Sequence, residues 1–198
     1  MGVMSVTPLR GGAAREAELL GAVLDVLRES GYDRLTVDAV AARAKAGRQT
    51  VYRRWPTKAD LVVAAFVKAV SAPPSAPDTG ELRGDLLALM ESLLDELIRL
   101  GDVIAGLVGE TRHNPELAVA MEHHYVAARR RIVLAVFERA WERGELSSSA
   151  DTDLLWEVGP ATLFFRAVAS GEAVNSELAR RIVDHVVLPL AAAGRQPG

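Results

Sequence analysis

Cysteine is absent from the 198 residues. That excludes disulfides, thiolate zinc sites and thiol redox sensing, and it fits a reducing compartment. No run of about 18 apolar residues appears, and the N-terminal stretch lacks an apolar signal core. The chain therefore reads as soluble and cytoplasmic, with no membrane partner. Strand patterning and internal repeats are missing too. The sequence holds no nucleophile elbow, no H-E-x-x-H and no phosphate loop, and its carboxylates are scattered. Neither an enzyme nor a cofactor is expected. Aromatic residues are few, with three Trp, three Tyr and four Phe.

Apolar residues make up 49% of the chain, enough for a sizeable core in one domain or in a small-plus-larger pair. The net charge of −3 hides an asymmetry. Residues 1–70 hold 11 Lys/Arg against 7 Asp/Glu, a charge of +4, and the remainder hold 12 against 19, a charge of −7. A basic front with an acidic rear suits contact with DNA at one end.

Residues 41–61 organise that basic end. A short apolar-striped helix over Val37–Ala44, with Thr36 as its N-cap, runs into a tight turn through Lys45–Gly47. A short basic helix follows and stops at Pro56. Val51 and Trp55 are four apart and share one face, so they anchor this helix to a core. At about 100° per residue, Gln49 and Arg53 point away from Val51. Thr57 and Asp60 then form a capping pattern for the next helix, with Lys58 in its first turn. The helix dipole disfavours a Lys there, and a phosphate would account for it. Arg48, Gln49 and Arg53 are the base-edge candidates. Thr36, Lys45, Thr50, Tyr52, Arg54 and Lys58 are the phosphate candidates.

The run Leu35-Thr-Val-Asp-Ala-Val-Ala-Ala-Arg-Ala, then Arg48 through Tyr52, then Trp55-Pro-Thr-Lys, resembles the helix-turn-helix and the opening of the fourth helix in the TetR family of transcription repressors. The match covers roughly residues 14–70. Lys45 stands where that family often has Gly, and Gly47 where it often has a Ser N-cap. The resemblance implies an all-α homodimer: an N-terminal helix-turn-helix domain binding an inverted-repeat operator in double-stranded DNA, and a C-terminal domain for dimerisation and a small-molecule effector. The alternative is a helical sensor or adaptor without sequence-specific DNA binding.

About nine helices are expected. Residues 1–13 read as a mobile tail. The first helix runs over Ala14–Ser30 with Gly31 closing it, and the fourth over Lys58–Val70. Prolines at 73, 74 and 77 mark residues 71–80 as a linker, with Asp78 and Glu81 resembling a capping pair for the fifth helix. That helix is expected over Glu81–Leu100, ended by Gly101. A sixth, over Asp102–His113, is weakened by Gly106 and Gly109. The next starts at Asn114-Pro115 and continues, whole or broken, toward Arg143. The last two are Thr152–Ser170, capped by Asp151, and Glu177–Ala192, capped by Ser176. Glu81-Leu-Arg-Gly-Asp-Leu, Asn114-Pro-Glu-Leu-Ala, Arg143-Gly-Glu-Leu and Gly159-Pro are similar to the C-terminal domain of one branch of the same family. Pro160 should kink its helix or free a carbonyl.

The helix over 152–170 is apolar nearly all round, so a second subunit is its natural cover. Leu155, Trp156, Leu163 and Phe165, with Ile182, Val183, Val186 and Val187 from the last helix, are the expected dimer interface. Met90, Ile104, Leu107, Met121, Tyr125, Phe137, Trp141 and Phe164 are the candidates for an effector pocket among the middle helices; an apolar or aromatic ligand fits them. His123 and His124 point about 100° apart on a helix and make a poor chelating pair, so no metal is expected of them or of His113. Arg129-Arg130-Arg131 reads as a solvated face.

Overall fold

A computed structural model of the chain describes residues 10–70 and 75–193. Those residues form eight helices and no strand. Helix α1 spans Arg10–Arg34, with Gly31 at φ 75° interrupting it. That left-handed φ suits glycine, so the regular helix stops at Ser30 and one further turn follows. The expected tail therefore loses residues 10–13 to α1, and residues 1–9 lie outside the described part.

Helix α2 (Val37–Arg43) begins where the Thr36 hydroxyl accepts the Ala39 amide at 3.2 Å. Helix α3 spans Arg48–Arg54, entered from Gly47 with no side-chain cap. Helix α4 (Lys58–Ala69) carries a complete capping box, with Thr57 and Asp60 each accepting the other's backbone amide. Val23, Val40, Val51, Leu61 and Val62 are fully buried between these four helices. Residues 71–74 of the expected linker are outside the described part, and 75–81 are irregular.

Helix α5 runs unbroken from Leu82 to Thr111, where two helices were expected. Gly101 does not end it. Leu97, Leu100, Val103, Ile104 and Leu107 carry one buried stripe through the glycine. Burying such side chains is worth roughly 1.5–3 kcal/mol each, against about 1 kcal/mol lost per helical glycine. The start of α5 also departs from expectation. Glu81 makes no side-chain cap, and the Leu82 amide donates instead to Glu145 at 2.5 Å, 63 residues away. Buried Asp85 accepts from the amide and hydroxyl of Thr79, at 2.7 and 2.9 Å.

Helix α6 covers 115–142 and is continuous. Pro115–Met121, with Asn114 capping, passes through a π-helical turn at Glu122–Val126 into Ala127–Glu142. Gly144 at φ 71° comes after it. Helix α7 covers 152–169 and is capped by Asp151, which accepts from the amides of Asp153 and Leu154. Helix α8 covers 176–192, and its cap is Asn175 rather than Ser176. The Ser176 hydroxyl donates to Glu91 at 2.9 Å.

The two halves share one core. Arg28 of α1 pairs with Asp102 of α5 at 3.2 Å, and Arg99 of α5 donates to the Ala69 carbonyl ending α4, also at 3.2 Å. No described helix is long and apolar enough to cross a membrane.

A methyl group at Gly101 would meet nothing within 4 Å. Gly101→Ala should therefore stabilise the protein by about 0.5–1 kcal/mol in urea unfolding. Destabilisation would mean that α5 bends or breaks there in solution.

Candidate nucleic-acid interface and inner cavity

The two short helices α2 and α3 meet at a turn through Lys45. Its φ is 49°, the one positive value among described non-glycine residues. A position needing left-handed backbone favours glycine, which is the physical content of the departure noted at Lys45. The Ala46 amide closes the turn on the Ala41 carbonyl at 2.8 Å. Val51 is fully buried and Trp55 packs against the same core, so α3 is pinned by one face. Arg48, Gln49, Thr50, Tyr52, Arg53 and Arg54 are all exposed. Thr36 and Lys45 are exposed beside them.

The cations on this surface differ in their partners. Arg48 pairs with Asp38 at 2.5 Å and Arg54 with Glu16 at 2.5 Å, while Arg43 makes a two-pronged contact with Glu29 at 2.7 Å. Glu29 is held below the usual carboxylate range, chiefly by its hydrogen bond to Arg43. Exposed pairs of this kind are weak and salt-screened, so polyanion phosphates can replace them. Arg53 and Lys45 have no side-chain partner among the described residues.

Lys58 departs from its expected role. Its ammonium donates to the Tyr32 carbonyl at 2.9 Å and lies 4.2 Å from the centre of the Tyr32 ring. Carbonyls at the end of α1 thus supply the partner that the helix dipole of α4 withholds.

Behind this domain lies a cavity of about 380 Å³ between α5, α6, α7 and α8. Of the eight effector candidates, Met90, Ile104, Tyr125 and Phe164 line it. Leu107, Met121 and Phe137 are buried in the core instead, and Trp141 is 60% exposed on the surface. Three residues expected at the dimer interface, Leu155, Trp156 and Val187, face the cavity. Leu163, Ile182 and Val183 are buried within the chain itself. Val186 is half-buried, and Phe165 is 62% exposed with Leu154 at 48%. A helical stripe looks the same whether its own chain, a partner or a cavity covers it. Pro160 and Gly159 also belong to the wall; a methyl group at Gly159 would come within 3.2 Å of the Met90 sulfur.

One polar group of this wall escaped the sequence reading. Arg129, expected on a solvated face, lines the cavity and pairs with Glu96, which is fully buried. The Tyr125 hydroxyl donates to the other Glu96 oxygen at 3.1 Å. Burial pushes the Tyr125 phenol up to about 12 and the Arg129 guanidinium down to about 10, so both stay protonated at neutral pH. A signal for Glu96 was present: it falls four residues before Leu100 and seven before Val103, on the buried stripe. The Tyr125 ring also meets Phe66 of α4 edge to face, with ring centres 4.9 Å apart.

His113, His123 and His124 are exposed, and no cluster of three metal-ligating side chains occurs among the described residues.

Two family models match the chain. Residues 19–65 match the bacterial regulatory proteins of the tetR family, and residues 76–186 match the tetracyclin repressor-like C-terminal domain. An uncharacterized HTH-type transcriptional regulator of Mycobacterium tuberculosis is 42% identical over 175 residues, covering 88% of this chain and 87% of the relative. A DNA-binding transcriptional repressor of Mycobacteroides abscessus is 35% identical over 185 residues, covering 92% and 97%. The crystal structure of the TetR family transcription regulator SCO0332 superposes with a TM-score of 0.71 at 27% identity, covering 87% of this chain and 96% of the other.

Because Lys58 is engaged inside the chain, Lys58→Met should cost about 1 kcal/mol of stability in urea unfolding. It should leave the salt dependence of DNA binding unchanged. A salt slope lower by about one would restore Lys58 as a phosphate ligand.

Proposed function

The chain belongs to the TetR family of bacterial regulatory proteins, and from that premise we propose that it is a homodimeric repressor whose hold on an inverted-repeat operator is controlled by a small molecule in the inner cavity. The contact between Tyr125 and Phe66 carries this reading. Tyr125 is cavity wall, and Phe66 belongs to the helix directly after α3, so a guest in the cavity touches a residue packed on the DNA-binding domain.

In this reading α3 enters the major groove. Arg53, Gln49 and Arg48 read base edges; Thr36, Lys45, Thr50, Tyr52 and Arg54 hold the backbone. Binding exchanges the Asp38 and Glu16 partners of Arg48 and Arg54 for DNA. The repressor role is carried over from the Mycobacteroides abscessus relative, which bears that name.

The dimer forms through the outer faces of α7 and α8. Exposed Phe165 and Leu154, together with half-buried Val186, support that surface. It is smaller than the sequence alone implied, because much of the apolar stripe is used within the chain.

A separate sixth helix cannot be the moving part, since α5 is continuous. The effector acts instead on the π-helical turn of α6 and on α5. These reach the DNA-binding domain through Phe66, the Arg28–Asp102 pair and the Arg99–Ala69 hydrogen bond. A guest shifts the spacing of the two recognition helices only by binding one arrangement more tightly than the other.

Selection from a random duplex library at two salt concentrations tests the core of the proposal. The expected product is an inverted repeat. Weak, salt-sensitive binding without enrichment would favour a sensor that does not read sequence. On the selected operator, Arg53→Ala should cost roughly 1–3 kcal/mol and relax preference at one base pair. Phe66→Leu should bind both operator and cavity guest while weakening the effect of one on the other; undiminished coupling would place the route elsewhere.

A further inference from the structure

Among the described residues that line the cavity, Arg129 is the single charged side chain. Its charge is answered from behind. Glu96 takes Arg129 on one oxygen and the Tyr125 hydroxyl on the other, so both oxygens and the phenol proton are used within the chain. The Nε–H of Arg129 has no acceptor among the described residues and is closed off by protein, whereas 14% of the side chain stays exposed and is what a guest can meet. Around it the wall is made largely of apolar side chains, among them Leu93, Val133, Trp156, Pro160 and Phe164.

Different guests meet this wall differently. A lipophilic cation finds no carboxylate on the lining and sits near a guanidinium. A lipophilic anion can claim Arg129 only in competition with Glu96, leaving two carboxylates and one cation against a largely apolar wall. Uncompensated buried charge of either sign is costly. A bare hydrocarbon fills the space but offers the exposed part of Arg129 no acceptor. A neutral guest with one oxygen offers it one and adds no charge.

We propose that the cavity selects neutral, mainly apolar molecules carrying one hydrogen-bond acceptor oxygen, such as a ketone, ester or ether, and that Arg129, balanced by Glu96, sets this preference. The proposal rests on the effector-cavity reading above and names the class of effector.

Four probes built on one ring system separate the possibilities: naphthyl methyl ketone, ethylnaphthalene, naphthoate and naphthyltrimethylammonium. Each is titrated calorimetrically into the full chain. The ketone should bind about tenfold more tightly than ethylnaphthalene, the gain expected for one hydrogen bond from a charged donor. Both ions should bind more weakly than ethylnaphthalene. The double variant Glu96→Gln/Arg129→Met removes both charges together and leaves Tyr125 an acceptor. It should still take ethylnaphthalene while losing the preference for the ketone; its urea midpoint verifies that it is folded.

Equal or tighter binding of either ion would overturn the proposal. So would absence of the ketone preference, its survival in the double variant, or failure of all four probes to bind. The regulatory reading is decided separately, by retention of the selected operator at saturating probe. Binding in the wrong order overturns the effector class alone. Binding in the expected order, with operator retention unchanged, overturns the regulatory role of the cavity and leaves its chemistry standing.

Discussion

A carboxylate at the middle of α5 constrains much of the molecule. Glu96 has no exposed surface, and a charge so placed is tolerable only when it is paired and hydrogen-bonded. Its partners, Arg129 and Tyr125, are four residues apart on α6. That sets the height and rotation of α6 against α5. The π-helical turn at Glu122–Val126 lies at this point, and one turn of wider winding re-aims the side chains beyond it. With Tyr125 held by Glu96, its ring reaches Phe66 of α4, and the other side of the same cluster becomes cavity wall. One buried charge therefore ties the C-terminal helices to the helix-turn-helix domain at a definite register.

The DNA-facing surface is built differently. Nothing there is buried and charged. Arg43, Arg48 and Arg54 are held by nearby carboxylates in the free protein, which keeps a basic surface ordered without strong bonds. Arg53 stands apart, opposite buried Val51 and without a carboxylate partner among the described residues. The contrast is one of dielectric: ion pairs in water are exchangeable, whereas the pair beneath the cavity is not.

Much of the N-terminal half was legible before any coordinates. Thr36, the Thr57–Asp60 box, Gly31 and the Val51–Trp55 anchor all behave as their spacing implied, because caps and turns are interactions between residues three or four apart. The errors lie where distant residues decide. Gly101 looked like an end and is the interior of a helix, since burial on both sides outweighs its propensity. Asp78 and Glu81 looked like a capping pair, and Glu145 supplies the bond from across the fold. Lys58 finds a partner at the end of α1 that its own helix does not reveal.

The all-helical class, the helix-turn-helix and its outward residues follow from local pattern, because helical period and end-capping are local and the core of a small bundle is read from one stripe. What covers each apolar stripe of the larger half follows only from how the helices pack. Leu163 and Val183 face the chain's own core, Leu155, Trp156 and Val187 face a cavity, and Phe165 faces outward. Hydrophobicity has no direction beyond the helix that carries it, so its pattern cannot distinguish these neighbours. The same reason hid Arg129 within a charged run: its role depends on Glu96, 33 residues away in sequence and brought alongside only when α5 and α6 pack.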